Sequence, residues 1–295
     1  MPVSRAAHRG SLLAAGGREA DPCDPSILEE FVRRCGGASA CILVLTAASS
    51  HPKSKRIEYG AAFGALGVTR LTFLHHRSRG DAEASLGAPV LDEADGVFLC
   101  GGNQLKLVTT LGGTRLLERL RERYRDGLHV AGTSAGAAAL SSVMIARGRA
   151  RAAPRLASIR LAPGLGLLPE VIVDQHFSER DRLGRLMTAV LCNASMLGFG
   201  IDENTAFVVE PDDRVTVIGQ GTVTVVDGSE LVDTNLHDLE DDRPAAFTGL
   251  RVHGLGAGWA FDLKTRRVEQ PLIEEEEEMR AGESVPPVGA RANRR

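Results

Sequence analysis

The sequence has few aromatic residues: they make up 4% of its 295 residues and include one Trp and two Tyr. Proteins that bind single-stranded nucleic acid stack bases on aromatic side chains, so this scarcity argues against such a function. An excess of positive charge is also lacking, since 35 Lys and Arg stand against 38 Asp and Glu and the formal net charge is -3. Binding to duplex DNA requires a basic surface. We therefore expect no nucleic-acid partner.

Long apolar runs and paired cysteines are missing as well. No segment approaches the roughly 18–20 consecutive apolar residues of a transmembrane helix, so we expect no membrane association. The apolar run 11–15 is shorter than the core of a signal peptide, roughly 7–15 residues, and we interpret it as a first strand. The five cysteines are odd in number and contain no C-x-x-C pair. This pattern indicates reduced thiols, a cytoplasmic location and no zinc site.

Alternating apolar runs and helix-like segments predict an α/β fold with a mostly parallel sheet flanked by helices. Continuous apolar runs, typical of parallel strands that are covered on both faces, occupy residues 40–46, 96–99, 128–131 and 171–174. Apolar residues at helical spacing occur in the segments 26–35, 53–66, 112–124, 136–142 and 180–191.

The C-terminal third of the chain has a different pattern. Short β-branched runs separated by Asp and Gly turns occupy residues 206–209, 215–218 and 223–226. Such runs predict an antiparallel β appendage near the C-terminus, a meander within 205–273. We expect residues 1–273 to form one domain. Residues 274–295, which begin with five consecutive Glu, are expected to form a disordered tail.

A nucleophile elbow is predicted at residues 132–136, Gly-Thr-Ser-Ala-Gly. The pentapeptide follows a short apolar strand and opens an alanine-rich helix, which is the context that this motif requires. Without that context, the same pattern arises by chance in a chain with 33 glycines. Ser134 is the candidate nucleophile. The N–H of Ala135, at the start of the helix, is a candidate oxyanion donor.

A serine nucleophile needs a base, and His176 is the candidate because it directly follows a buried-looking strand with polar neighbours. A third group should orient the imidazole. Either Asp202 or Glu203, at the end of another apolar stretch, could accept a hydrogen bond from Nδ1–H. The chain order serine, histidine, acid differs from the order in α/β-hydrolases, which argues against an esterase.

A second set of donors for the oxyanion hole is predicted at residues 101–104, Gly-Gly-Asn-Gln, directly after a strand. The backbone N–H groups of Gly102 and Asn103 would lie at the carboxyl edge of the sheet, where open α/β proteins bind ligands. The alternative is a glycine turn in which Asn103 caps the following helix.

In chain order these motifs resemble the cyanophycinases and their relatives among the dipeptidase E-like serine peptidases, whose fold is similar to that of class I glutamine amidotransferases. The resemblance extends over about residues 11–210 and rests on segments 16–19, 46–50, 101–104, 132–137, 162–168, 174–177 and 200–203. The segment Asp174-Gln175-His176-Phe177, with the arginines that follow it, is much more specific than Gly-x-Ser-x-Gly.

The resemblance implies a Ser134–His176–Glu203 triad, no metal or organic cofactor, and a homodimer. It also implies a substrate pocket lined by Gln104, Asp174, Gln175, Arg180, Arg182 and Arg185. Cyanophycinases release β-aspartyl-arginine dipeptides from cyanophycin, a poly-aspartate that carries arginine on each side-chain carboxyl. The expected substrate is therefore cyanophycin or another aspartyl peptide. The alternatives are a β-aspartyl or acidic-residue dipeptidase on the same scaffold and a non-catalytic ligand-binding relative.

Two segments depart from the family pattern. The first motif has Arg18 and Ala20 where the family usually has an alanine and an acidic residue. Between Met144 and Pro169 the chain has no Asp or Glu but carries Arg147, Arg149, Arg151, Arg155 and Arg160. If this basic loop lined the site, it would repel an arginine leaving group. We expect the loop to point away from the site as a solvated surface.

Overall fold

The computed structural model describes residues 9–85, 89–150, 153–239 and 243–271. Its strands are β1 (Leu12–Ala15), β2 (Cys41–Leu45), β3 (Arg70–Leu74), β4 (Gly96–Leu99), β5 (His129–Thr133), β6 (Val143–Gly148), β7 (Ile159–Pro163), β8 (Val171–Gln175), β9 (Leu197–Ile201), β10 (Thr205–Val209), β11 (Arg214–Gly219), β12 (Val223–Asp227), β13 (Asp233–Thr234), β14 (Phe247–Thr248), β15 (Arg251–Leu255), β16 (Ala260–Asp262) and β17 (Arg267–Glu269). Its α-helices are α1 (Ser26–Arg34), α2 (Pro52–Ala65), α3 (Arg79–Ala84), α4 (Pro89–Glu93), α5 (Gln104–Leu111), α6 (Arg115–Arg125), α7 (Ala135–Leu140) and α8 (Leu183–Cys192). The predicted tail 274–295 and Arg151 of the basic loop lie outside the described residues.

The main sheet has the strand order β17-β16-β11-β10-β1-β5-β4-β2-β3. Strands β1 to β5 pair in parallel. Strands β10, β11, β16 and β17 extend the sheet with antiparallel pairs beyond β1. The predicted α/β class, with a parallel core and antiparallel strands near the C-terminus, is confirmed.

Apolar cores on both faces of the parallel strands explain why these strands are continuous apolar runs. In β2, Ile42 belongs to the core that contains Phe31 of α1 and Phe63 of α2. The next residue, Leu43, belongs to the opposite core, which contains Leu117 of α6. The two faces alternate along the strand because successive side chains point to opposite sides of the sheet.

A second sheet has the order β15-β12-β9-β8 and shares a long bent hairpin with the main sheet. One arm of the hairpin runs from β9 into β10, and the other runs from β11 into β12. The prediction of a meander, in which each strand pairs with the one before it, is therefore wrong for the third strand, residues 223–226. Strand β12 continues the arm of β11 and pairs with β9 and β15 in the second sheet.

The bend of this hairpin depends on a glycine and on Asp202. Gly219 has a φ of 100°, and a Cβ at this position would lie 2.2 Å from the carbonyl oxygen of Asn204. Only glycine permits this approach. On the facing arm, the carboxylate of Asp202 accepts hydrogen bonds from the N–H of Thr222 at 3.0 Å and from its hydroxyl at 2.8 Å. The bend places the turn after β9 beside the carboxyl end of β8.

Candidate active site

Ser134 lies at the sharp turn between β5 and α7, with a φ of 50° and a ψ of -113°. Few non-glycine residues adopt a positive φ, and this one marks the strained turn of a nucleophile elbow. Two glycines make room for the turn. A Cβ on Gly132 would lie 2.7 Å from the carbonyl carbon of Gly136, and a Cβ on Gly136 would lie 2.2 Å from the carbonyl oxygen of Leu99. The side chain of Ser134 does not cap α7, so Oγ is available for another contact.

The structure brings Ser134, His176 and Glu203 into one chain of hydrogen bonds. The distance from Ser134 Oγ to His176 Nε2 is 2.8 Å, and the distance from His176 Nδ1 to Glu203 Oε1 is 2.7 Å. When Nδ1–H donates to the carboxylate, Nε2 is left to accept the serine proton. The second carboxylate oxygen of Glu203 accepts a hydrogen bond from Arg18 at 3.3 Å.

Three successive carbonyl groups, those of the last residue of β1 and of the two residues that follow it, hold the segments that carry these side chains. The N–H of Ser134 donates to the carbonyl of Ala15 at 2.9 Å, and that of His176 donates to Gly16 at 3.0 Å. The N–H of Asn204, the residue after Glu203, donates to the carbonyl of Gly17 at 2.9 Å. The loop after the first strand therefore sets the relative positions of all three segments.

Gly17 also fits closely against the imidazole. A Cβ on Gly17 would lie 2.3 Å from Cε1 of His176, and the φ of Gly17 is 118°. Both the space and the backbone conformation therefore require glycine at this position.

The structure distinguishes between the two acidic residues that the sequence left open. The carboxylate of Asp202 accepts hydrogen bonds from the N–H of Ser178 and from Thr222, so it holds the bend of the hairpin. Glu203, the next residue, reaches the imidazole of His176. The contact with His176 therefore belongs to Glu203, and Asp202 has a structural position.

The electrostatic surroundings favour a neutral imidazole beside an ionised carboxylate. Burial lowers the pKa of His176 below its ordinary value of 6.5; the hydrogen bond to Glu203 opposes this shift, and the positive charge of Arg180 adds to it. Burial raises the pKa of Glu203, but the contacts with His176 and Arg18 outweigh this effect and hold it below 4.5. At neutral pH, His176 can therefore act as a proton acceptor.

We expect kcat/KM for peptide hydrolysis to rise with pH along an acid limb whose midpoint lies below 6.5. The neutral form of His176 accepts the serine proton, and its lowered pKa preserves this form at lower pH. Arg180→Gln should move the midpoint upward because it removes a cation that disfavours the imidazolium ion. Initial rates across the acid range test this, with Arg70→Gln on the distant edge strand β3 as the control. A midpoint that stays fixed in Arg180→Gln would contradict the assignment.

Two of the three predicted oxyanion donors remain compatible with the structure, and the third does not. Ala135 is the first residue of α7, so its N–H has no acceptor within the helix. Gly102 lines the same cavity as Ser134. The prediction for Asn103 is corrected, because its N–H donates to the carbonyl of Ala48 at 3.0 Å and its side chain caps α5 through the N–H of Lys106. The alternative interpretation of this segment, a glycine turn with an asparagine cap, is the one observed.

The predicted substrate-binding residues around Asp174 form a buried ion-pair network. Asp174 is 1% exposed and accepts a hydrogen bond from Nε of Arg185 at 2.6 Å. Arg182 donates to Asp174 at 3.3 Å and to the side chain of Gln175 at 2.9 Å. Burial lowers the pKa of Arg182 to about 10, so it remains cationic at neutral pH.

The other two predicted substrate-binding residues, Gln104 and Arg180, have different surroundings. Gln104 donates from its side chain to the carbonyl groups of Ile145 and Ala146 in β6. Arg180 is exposed and acts on His176 through its charge. None of the six predicted substrate-binding residues lines the cavity at Ser134. Their contact with substrate therefore stays a prediction.

A cavity of about 740 Å³ opens at Ser134 and His176 and extends toward α2. Its wall contains Glu19, which is 3% exposed. The carboxylate of Glu19 accepts hydrogen bonds from the hydroxyl of Tyr59 at 2.5 Å and from the hydroxyl of Thr133. Glu19 thus ties the loop after β1 to the residue that precedes the nucleophile.

Arg18 and Glu19 are site residues that the sequence motifs do not predict. Arg18 departs from the family motif, and the structure places it against Glu203. Glu19 follows it in the same motif and lines the cavity. The signal that could have identified both is their position directly after the Gly16-Gly17 turn, at the carboxyl end of a parallel strand.

The basic loop does not contribute to this cavity. Its described arginines, Arg147, Arg149, Arg155 and Arg160, are absent from the residues that line the space at Ser134. A separate cavity of about 600 Å³ contains Arg147, Arg149 and Arg160. This separation agrees with the expectation that the loop points away from the nucleophile.

Two further features concern metals and membranes. Within the described ranges, no cluster of three or more His, Cys, Asp or Glu side chains could hold a metal ion. None of the helices in these ranges has the length and apolar character needed to cross a membrane.

The family model of peptidase family S51 matches residues 11–218. The chain belongs to this family. Its relatives include proteins named cyanophycinase from Synechococcus elongatus (39% identical, over 90% of this chain and 83% of the relative), Trichormus variabilis (40% identical, 89% and 88%) and Geminocystis herdmanii (38% identical, 90% and 98%). The S51 peptidase also shares its fold with the crystal structure of a peptidase from an acI-B1 Actinobacterium, with a TM-score of 0.62, 23% identity and coverage of 87% of this chain and 98% of that chain. The resemblance inferred from the motifs is confirmed.

Proposed function

We propose that this S51 peptidase is a serine exopeptidase that hydrolyses cyanophycin to β-aspartyl-arginine dipeptides. Oγ of Ser134 attacks the carbonyl carbon of the scissile peptide bond while Nε2 of His176 accepts the hydroxyl proton. His176 then donates this proton to the leaving amine, and an acyl-enzyme remains on Ser134. Water, deprotonated by His176, attacks the ester and releases the second product. Glu203 holds the imidazole in the required tautomer and stabilises the imidazolium ion.

The continuous contact from Ser134 Oγ through His176 to Glu203, at 2.8 Å and 2.7 Å, carries the mechanistic proposal. The N–H of Ala135 and that of Gly102 are proposed to bind the oxyanion of the tetrahedral intermediate. The substrate is proposed from the similarity to the named cyanophycinases, which extends over most of the chain.

The charge of the cavity wall supports a substrate that carries arginine. Among the described residues, neither Glu19 nor Asp21 forms an ion pair, although both line the cavity. The two cations of the wall, Arg18 and Lys55, already pair with other carboxylates. The cavity therefore presents an excess of negative charge, which attracts a guanidinium group.

A β-aspartyl or acidic-residue dipeptidase is the second candidate function. The observation that favours it is the concentration of Arg180, Arg182 and Arg185 just beyond His176, since an acidic leaving group would be attracted to that side. Arg182 and Arg185 already pair with Asp174, which reduces this attraction. We therefore favour cyanophycin.

From the resemblance, we further infer a homodimer that needs no metal or organic cofactor. The odd number of cysteines without a C-x-x-C pair supports a cytoplasmic location, and the length and pattern of the chain support one peptidase domain over residues 1–273. Nucleic acid is not proposed as a partner, because the net charge of -3 provides no basic surface overall.

Product analysis tests the proposed function. Incubation with cyanophycin should release β-aspartyl-arginine dipeptides, detected by mass spectrometry, and activity on short acidic dipeptides should be much lower. A fluorophosphonate label should attach to Ser134, which also tests the non-catalytic alternative. Strong hydrolysis of acidic dipeptides, with no attack on cyanophycin at any salt concentration, would instead support the dipeptidase.

A further inference from the structure

Three arginines form a positively charged surface on the hairpin of β6 and β7, and we call Arg147, Arg149 and Arg160 the basic face. Arg147 lies directly opposite Arg160 in the antiparallel pair. The N–H of Arg149 donates to the carbonyl of Ser158, so the pairing continues beyond β6. Directly opposed residues point to the same side of a hairpin, and so do residues two positions apart. All three guanidinium groups are therefore presented on one side.

The positive charge of the basic face is not neutralised by acidic residues of the described chain. All three side chains are exposed, and none forms an ion pair with an acidic residue of the described chain. The sequence contains no Asp or Glu between Asp126 and Glu170. Like charges at directly opposed strand positions destabilise a hairpin. An anion bound between the arginines would remove this repulsion.

The basic face is concave and is supported from behind. It lines a cavity of about 600 Å³ whose other lining residues are small or apolar. Arg185, which is 5% exposed and is held by Asp174, donates to the carbonyl of Gly148 at 3.2 Å. Gln104 donates to the carbonyl of Ile145 at 3.1 Å. The hairpin is thus held at Gly148 by the buried network around Asp174 and at Ile145 by the first residue of α5.

We propose that the basic face is an anchoring site for the carboxylates of the polymeric substrate, separate from the cavity at Ser134. This inference rests on the proposed function. In a β-aspartyl-arginine unit the α-amino group of arginine forms the amide, so each unit keeps a free α-carboxylate as well as its guanidinium group. Arginine binds a carboxylate through two parallel hydrogen bonds. The acidic cavity at Ser134 receives one unit, while carboxylates of other units on the same polymer bind the basic face.

Two binding sites on one polymer raise the local concentration of scissile bonds at Ser134. The effect requires a substrate long enough to reach both sites. The basic face should therefore matter for cyanophycin and not for a single β-aspartyl-arginine unit or a short oligomer.

Co-sedimentation with insoluble cyanophycin tests this inference without turnover, in the Ser134→Ala background. We expect the added triple substitution Arg147→Ser, Arg149→Ser and Arg160→Ser to weaken binding about tenfold or more at low salt, since each arginine contributes a charge-assisted hydrogen bond. High salt should remove the difference, because it screens exposed charges. The matched control substitutes three exposed arginines elsewhere, Arg70, Arg125 and Arg267, and should bind like the parent protein.

Kinetics of the same substitutions on a wild-type Ser134 background separate anchoring from a structural role. The basic-face variant should lose kcat/KM on cyanophycin while its kcat/KM on a soluble β-aspartyl-arginine oligomer stays within about twofold of the parent. The corresponding lysine variant should retain part of the binding, because it keeps the charge without the bidentate geometry. An equal loss on both substrates would show a structural defect and overturn the inference.

The outcomes also separate this inference from the proposed function. If the parent protein hydrolyses cyanophycin and the basic-face variant binds and cleaves it equally well, only the anchoring site is wrong. If the control arginine variant loses as much binding as the basic-face variant, the attraction is nonspecific and the anchoring site is again wrong. If the parent protein neither binds nor cleaves cyanophycin, the proposed function fails and the anchoring site fails with it.

Discussion

Ser134→Ala is expected to lower kcat for peptide hydrolysis by about four to six orders of magnitude, the scale seen when a serine nucleophile is removed. The substitution deletes the atom that forms the acyl-enzyme, and the described structure shows its Oγ in one hydrogen bond, the 2.8 Å contact with His176. Rates of dipeptide release from cyanophycin measure the loss. The free energy of unfolding should change by about 1 kcal/mol or less, because one partly accessible hydroxyl is removed.

Ser50→Ala is the matched control, since Ser50 is an exposed serine in the wall of the same cavity. It should retain activity within about threefold. A fluorophosphonate should label the wild-type protein and Ser50→Ala but not Ser134→Ala. Retention of more than about a tenth of the activity by Ser134→Ala would remove Ser134 from the mechanism.

Glu203→Gln is expected to lower kcat by roughly two to four orders of magnitude, by analogy with amide substitutions of the acidic residue in serine peptidase triads. The carboxylate accepts a hydrogen bond from Nδ1–H of His176 at 2.7 Å and keeps Nε2 free for the serine proton. A glutamine can present its NH₂ group to Nδ1, which places the proton on Nε2 and prevents the imidazole from acting as a base. Steady-state kinetics on cyanophycin provide the measurement.

Asp202→Asn is the matched control for the neighbouring carboxylate. Asp202 accepts hydrogen bonds from Ser178 and Thr222 at the bend of the hairpin. Its replacement should cost about 1–2 kcal/mol of unfolding free energy, with a much smaller loss in kcat than Glu203→Gln. If Asp202→Asn lost more activity than Glu203→Gln at equal stability, the assignment of the third residue would be reversed.

The secondary structure near the site was predictable from local patterns. The strand predicted at 96–99 is β4, and the helix predicted at 26–35 is α1 with a difference of one residue at its end. The hairpin of β6 and β7 was not predicted, because its arginine-rich sequence lacks the regular apolar alternation of a half-buried strand. Strand β12 was predicted as a strand but assigned to the wrong neighbour.

The candidate site was predictable to a similar extent. The sequence identified Ser134 and His176 from the elements that precede them, and the structure brings them into contact. For the third residue of the triad it left Asp202 and Glu203 open. These two neighbours have different roles, because Glu203 contacts His176 and Asp202 holds the bend of the hairpin. It also offered Asn103 as an oxyanion donor, but the contact of its N–H with Ala48 depends on a loop that follows another strand.

The local elements of this protein follow directly from its amino-acid sequence: the buried parallel strands, the glycines that permit the turn at Ser134, and the histidine at the end of β8. These features follow from the spacing of apolar residues and from the steric needs of single residues, which a short segment contains in full. The long-range packing of the chain, in contrast, selects which acidic residue contacts His176, which sheet contains β12, and which arginines face one another. Those outcomes depend on contacts between segments far apart in the chain, such as those of the three carbonyl groups at the end of β1 that hold the segments of the nucleophile, the base and the acid in place.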